Sequence, residues 1–363
     1  MSSRKVLHLK DTRAQFARVP SLDGIRAVSI LIVMFSHFVA SNVFPGGFGV
    51  LIFFVVSGFL ITRLLFAEQN AANGISIPNF YLRRFFRLYP VIVAYTIAVL
   101  ALFMVSGLRI DWWEPLSALF YFANYFYAYA TAAHPGAQLM PFGIFWSLSL
   151  EEHFYILFPI IFVFLRGRPA ALSVAMLWVI AACVTLRLVL AHAHPKLLTT
   201  YWFYYTELRI DSIAFGVLLA GICESHWARE LLNFMQKPQT VCASLLILLA
   251  TFLVRSPWFR ETLRYSLQAG CVATLLAAVV FSPRYRLAQV VLNSFVMSTI
   301  GVLSYSLYLW HFFAATVLDF LRLPHIPLIG IEFALSFVFA AASYVLLERP
   351  LSALRHRFGS RTA

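Results

Sequence analysis

The chain has 363 residues, of which 61% are hydrophobic and 12% charged, with a mean hydropathy of +0.81 and a formal net charge of +13. A soluble domain carries about twice that charged fraction, so the composition argues for a polytopic membrane protein whose first partner is the lipid bilayer. The excess positive charge does not mark a nucleic-acid binder, because the basic residues sit in short clusters between apolar runs, where orientation in a membrane requires them.

Taken in chain order, the apolar runs predict an all-α polytopic bundle of about ten transmembrane helices. They lie at roughly 24–43, 49–67, 88–107, 148–165, 170–191, 208–222, 240–254, 264–281, 298–320 and 326–347. The polar stretch before the first run has no small-residue cleavage site after it, so no signal peptide is read. Residues 1–20 read as a basic tail, 21–350 as one membrane domain and 351–363 as a second basic tail. No internal repeat is visible. Loops on one side carry Arg83, Arg84, Arg87, Arg166, Arg168, Arg229, Lys237, Arg284 and Arg286, together with both basic tails. The opposite loops hold only Arg109, Lys196, Arg255, Arg260 and Arg322. Both termini are therefore expected on the cytoplasmic side. The aromatic stretch Leu116 to Thr131 would reverse that bias if it crossed, so it reads as an interfacial or re-entrant segment on the outer side.

Cys183, Cys223, Cys242 and Cys271 have no metal-ligand spacing and suggest no disulfide framework. His192 and His194 form a loop pair that reads as solvated, and no metal site is expected.

His37 lies within the first apolar run, eleven positions after Arg26. At about 100° per residue, eleven steps come to three turns plus about 20°, so both side chains share a helix face, about 16 Å apart along the axis. Ionisable groups within hydrocarbon are expensive and mark function. His311 lies at a similar depth in the ninth run, and Glu151 and Glu152 open the fourth from the outer side. This places two histidines and two acids at one level. A carboxylate beside a histidine fixes its tautomer and raises its basicity, a common way to build a general base; a structural polar network between helices is the other reading.

Arg83, Arg84 and Arg87 fall in YLRRFFRLYP before the third run, and Arg84 and Arg87, three apart, face one way. Guanidinium forks suit phosphates, although anionic headgroups ask for the same residues. Ser57-Gly58 reads as a close helix contact, with Pro45, Gly46 and Gly47 as the turn before it. Tyr155 is one turn after Glu151. Arg209 and Asp211 at the start of the sixth run read as an ion pair or as the lining of an acceptor groove.

At these residues the chain resembles acyltransferase family 3. The matching pieces are SLDGIRAVSILIVMFSHF, FFVVSGFLIT, FYLRRFFRLYP, FWSLSLEEHFYILFP, ELRIDSIAFG and SYSLYLWHFF, in family order from about residue 20 to 350. The resemblance implies ten helices in a bacterial inner membrane, with no permanently bound cofactor. It implies cytoplasmic acyl-CoA, acetyl-CoA above all, as co-substrate and a hydroxyl of an exported or lipid-linked glycan as acceptor. It assigns Arg26 and His37 to the essential helix-one pair, Arg84 and Arg87 (with Arg83 beside them) to the coenzyme A phosphates, Glu151 to the family acid and Tyr155 to the motif tyrosine. His37 would act as general base or as a transient acyl carrier, with Glu151 orienting or balancing it. His153 stands where relatives often have Gln, which bears on how the acid is hydrogen-bonded. Some relatives carry an extracytoplasmic esterase-like domain; this sequence ends at Ala363 and on this reading meets its acceptor directly. The rival from another class is a secondary transporter relaying protons through His37, Glu151 and His311.

Overall fold

The computed structural model describes residues 19–39, 45–72, 74–134, 139–195, 204–321 and 328–357, and every structural statement concerns these. Of the expected basic tails, residues 1–18 and 358–363 lie outside them. Sixteen α-helices follow one another: α1 (Leu22–Phe38), α2 (Gly46–Ala72), α3 (Ile77–Val105), α4 (Trp113–Leu119), α5 (Ala123–Ala133), α6 (Phe145–Phe164), α7 (Pro169–Ala193), α8 (Asp211–Glu224), α9 (Arg229–Met235), α10 (Pro238–Leu253), α11 (Pro257–Thr262), α12 (Arg264–Phe281), α13 (Arg286–Leu292), α14 (Phe295–Leu321), α15 (Leu328–Ser343) and α16 (Arg349–Arg357). A π-helical turn, Tyr344–Glu348, joins the last two. Proline opens α7, α10 and α11, where its missing N–H costs no helical bond.

Each of the ten expected apolar runs is mainly helical over its described residues, and the chain is an all-α membrane helix bundle. Seven helices are long and apolar enough to cross a bilayer: α2, α3, α6, α7, α12, α14 and the continuous run through α15 into α16. An eighth candidate is broken, with α9 and α10 meeting at 65°. The described parts of α1 and α8, at 17 and 14 residues, are shorter than a bilayer crossing. α8 is compensated by its surroundings, since most of its residues are buried among other helices and never meet lipid.

Small residues set the register of the central helices. A Cβ on Gly58 would lie 2.1 Å from the Ile213 carbonyl oxygen, and one on Gly216 would lie 2.0 Å from that of Val55, so α2 and α8 touch backbone to backbone. The same close approach brings α1 against α14, where a Cβ on Gly301 would lie 1.9 Å from the Asp23 carbonyl oxygen. The Ser57-Gly58 pair is thus a packing point, through its glycine. Directions follow from contacts. Gly46 lies by Ser36 and Gly49 by Ser29, so α1 and α2 are antiparallel. Phe54 meets Trp146 and Phe66 meets Phe162, so α6 runs parallel to α2. α14 runs parallel to α1, with Gly301 at Asp23 and His311 at His37.

The aromatic stretch 116–131 is not one helix. α4 and α5 are 7 and 11 residues long, too short to cross, and Tyr121 between them has φ 58°. This pair covers the start of α6. Buried Glu114 of α4 accepts hydrogen bonds from the Met140 amide (2.9 Å) and the Tyr127 hydroxyl (2.5 Å). Tyr95 of α3 donates to the Pro141 carbonyl at 2.5 Å. Met140, Phe142, Ile144 and Phe145 are buried as a result, so α6 begins inside the bundle.

Burial pushes the Glu114 carboxyl above the ordinary carboxylate range, although the bonds from Met140 and Tyr127 pull the other way. With the folded value raised, ionisation opposes the fold. The stability contributed by Glu114 is full below the ordinary carboxylate pKa and declines as pH rises through the raised value. Replacing Glu114 with Ala should flatten that slope in thermal unfolding of the detergent-solubilised protein. Because it leaves the buried Met140 amide without its acceptor, while the Tyr127 hydroxyl keeps the Met140 carbonyl at 3.1 Å, it should also cost about 1–3 kcal/mol.

Candidate active site

Side chains from five helices line one partly open cavity. Its charged lining is Arg26 from α1, Arg84 and Arg87 from α3, and Glu151 from α6; hydroxyls come from Ser57, Ser147, Tyr155, Ser304, Tyr305 and Tyr308. The Arg84–Arg87 spacing puts both guanidinium groups on the cavity side of α3. Arg83, one position earlier, leaves by another face and pairs with Glu68 at 2.6 Å, outside the cavity lining. Arg84 lies with its Cζ 4.8 Å from the centre of the Tyr155 ring and 5.8 Å from that of Phe80, which holds its charge by cation–π attraction worth about 0.5–2 kcal/mol. Arg26 makes one long contact with Asp23, 3.9 Å.

Glu151 sits among hydroxyls. Ser57 and Tyr155 both donate to its Oε1, and their own hydroxyls touch. Ser57 is therefore a hydrogen-bond donor to the acid, and Tyr155 joins the acid to the arginine lying over its ring.

The two histidines form a separate pair. His37 Nδ1 and His311 Nε2 are 2.8 Å apart, and His311 Nδ1 lies 2.9 Å from the Leu307 carbonyl oxygen. His311 is fully buried, whereas His37 keeps an exposed side. Neither lines the cavity; Tyr308 does, and its ring centre is 5.9 Å from that of His311. The Tyr308 hydroxyl is 2.6 Å from that of Ser147 and donates to the Ile144 carbonyl at 3.1 Å. Tyr308 and Ser147 thus stand between the cavity and the histidine pair.

The expected convergence of acids and histidines at one level is corrected by this geometry. Ser57, which bonds Glu151, lies eleven residues along α2 from Gly46, and Gly46 packs beside Ser36. At 1.5 Å per residue, Glu151 is then about 16 Å from the level of His37, and so level with Arg26. Among the described residues no hydrogen bond joins Glu151 to either histidine. The physical reason is the buried start of α6: the α4–α5 cover carries its first turn into the bundle, and Glu151 enters deeper than an outer helix end. His153, on the same helix, turns to the loop before α8, with Nδ1 2.8 Å from the Thr206 hydroxyl.

The Arg209–Asp211 pairing is corrected too. Asp211 pairs with Arg187 of α7 at 2.7 Å, both side chains almost wholly buried, and Arg187 also donates to the Leu208 carbonyl and to Ser266. Arg209 stacks on Tyr265 with its Cζ 3.6 Å from the ring centre. Neither lines the cavity. Arg187 was missed although its signal was the one that singled out Arg26, a guanidinium inside an apolar run. Tyr308 was missed although it lies within the SYSLYLWH segment. The described residues contain no group of His, Cys, Asp and Glu able to hold a metal ion.

The helices and their ionisable interior define a multi-pass membrane protein with a polar cavity lined by arginine. A family model described as an acyltransferase domain, acyltransferase family 3, matches residues 19–348, and the chain belongs to that family. Among its relatives, the "Putative O-acetyltransferase SACOL0978" of Staphylococcus aureus (strain COL) is 27% identical over 357 residues, covering 92% of this chain and 57% of that protein. O-acetyltransferase OatA of Staphylococcus aureus (strain NCTC 8325 / PS 47) is 27% identical over 354 residues with the same coverage. The chain thus spans less than two thirds of the length of these curated relatives. No solved structure matches it.

Replacing Asp211 with Ala strands the Arg187 charge in the bundle and should cost about 3–5 kcal/mol. The double replacement Arg187→Met with Asp211→Leu should recover most of that loss in the same unfolding assay.

Proposed function

We propose that the chain is a membrane O-acyltransferase. It takes an acyl group, acetyl above all, from cytoplasmic acyl-CoA and places it on a hydroxyl of an exported or lipid-linked glycan at the outer face of a bacterial inner membrane. The observation that carries the reading is the meeting of Arg26, Arg84 and Arg87 around one cavity whose lining includes a single carboxylate, Glu151. Three guanidinium groups against one acid make an anion receptor, and arginine forks suit the phosphates of coenzyme A. Family membership and the names of the relatives support acyl transfer; the donor, the acceptor and the topology with both termini cytoplasmic belong to the proposal.

In this mechanism Arg84 and Arg87 hold the phosphates, with Arg26 as a deeper contact. The pantetheine arm runs through the cavity towards His37 over a rise of about 16 Å. Tyr308, which lines the cavity and lies beside His311, turns aside for the arm to reach His37 in this mechanism. His37 takes the proton of the acceptor hydroxyl, the oxygen attacks the thioester carbonyl, the C–S bond breaks, and the proton passes to the departing thiolate. General-base help of this kind is worth about 10² to 10⁴ in rate. Glu151, bonded to Ser57 and Tyr155, fixes the ring on which Arg84 lies and so positions the phosphate-binding charge. A proton relay through His37, Glu151 and His311, as a transporter would need, is interrupted by the distance between acid and histidines.

Two experiments test this reading. Membranes carrying His37→Ala, given radiolabelled acetyl-CoA, should lose glycan labelling by about 10² or more; retained turnover ends the assignment. Arg84→Ala and Arg87→Ala should each weaken donor binding about tenfold to a hundredfold, the value of a hydrogen bond to a charged group. Unchanged donor affinity would leave both as orientation signals.

A further inference from the structure

The two imidazole rings are parallel within 6°, with centres 5.0 Å apart and facing nitrogens 2.8 Å apart. Those distances agree only if both nitrogens lie close to the line between the ring centres. The rings are therefore coplanar edge to edge, and the bond between them runs along an in-plane lone pair, the favourable direction for an imidazole.

Donor and acceptor roles follow from the next link. A carbonyl oxygen only accepts, so the 2.9 Å contact between His311 Nδ1 and the Leu307 oxygen requires a proton on that Nδ1. Leu307 is one helical turn before His311, and a carbonyl has a second lone pair for this purpose beyond its helical bond. Neutral His311 then has a bare Nε2, which accepts. His37 must supply the proton to that bond from its own Nδ1, and its Nε2 is left with a free lone pair on the side away from His311.

We infer that His311 is a positioning residue: anchored to the Leu307 carbonyl, it selects the tautomer of His37 in which Nε2 is the proton-accepting nitrogen. This rests on the reading of His37 as general base. The groups around the pair are consistent with it. Tyr308 of α14 lies beside His311, Phe312 of α14 edges onto His37, and Phe333 of α15 packs on Phe35 and Phe38. Among the described residues no carboxylate bonds either ring, so the role given to Asp in a Ser-His-Asp triad is played here by a second imidazole fixed by the main chain. When His37 Nε2 takes the acceptor proton, its Nδ1–H stays bonded to His311, which shares the positive charge. The proton on Nε2 then leaves with the thiolate, and both rings return to their starting protonation.

The tautomer can be read without any acceptor. In protein with ¹⁵N-labelled histidine, reconstituted in nanodiscs at neutral pH, nitrogen chemical shifts should give His37 as Nδ1-protonated and Nε2-bare, with the signals assigned by His37→Gln and His311→Gln. A proton on His37 Nε2 overturns the inference. In membranes with radiolabelled acetyl-CoA and the host's own glycan, His311→Phe keeps ring volume but offers no acceptor. It should lower kcat about 10² to 10⁴-fold with the donor KM unchanged, while His311→Gln, whose amide oxygen can accept, should recover part of the rate. Wild-type kcat in His311→Phe, or equal losses in both variants, overturns the positioning role. The reading beneath it fails separately, if His37→Ala retains turnover.

Discussion

A charge placed among apolar helices has no water to solvate it, and this constraint organises the bundle. Each buried ionisable group must meet a partner, a ring face or a cavity. Arg187 meets Asp211, Ser266 and a main-chain carbonyl. Arg209 lies flat on Tyr265. Arg83 meets Glu68. Arg84 is held by an aromatic ring and, with Arg26 and Arg87, lines the cavity. The charges consumed by pairing are thereby separated from those left facing open volume, and the second set is where an anionic substrate gains most.

The same constraint explains why the site has two levels. The lower holds arginines, Glu151 and hydroxyls around the cavity; the upper holds two histidines joined edge to edge. Tyr308 and Ser147 stand between them, bonded to each other. Glu151 belongs to the lower level because α4 and α5, pinned by Glu114, bury the first turn of α6. The short α4–α5 pair thus decides how deep Glu151 reaches, and a carboxylate that could have met a histidine is joined through Tyr155 to the cavity-lining Arg84.

Much of the fold was legible in the residues. Hydropathy located all ten helical runs, and the stretch 116–131 was rightly kept from being a single crossing. The six motif pieces led to the family. Helical spacing put Arg84 and Arg87 on one face, but Arg83, expected to join them, instead pairs with Glu68 away from the cavity lining. Other parts were not legible. Nothing local distinguishes an Asp211 bonded to Arg209 two positions away from one bonded to Arg187 across two helices. Nor does any local pattern say that His37 and His311, separated by 274 residues, share a hydrogen bond.

By itself the sequence determined the solvent, the place of the apolar helical runs, the family, and that Arg84 and Arg87 share one helix face. These depend on composition and on a period of about 3.6 residues, and both are properties of one segment at a time. Only the tertiary structure decided which faces meet and at what height. That depends on where glycines such as Gly58, Gly216 and Gly301 let backbones touch, and on how far the α4–α5 cover pushes α6 inward. Sliding one helix past another by a single turn of about 5.4 Å keeps every local pattern intact and changes every partner, so pairing was settled by packing.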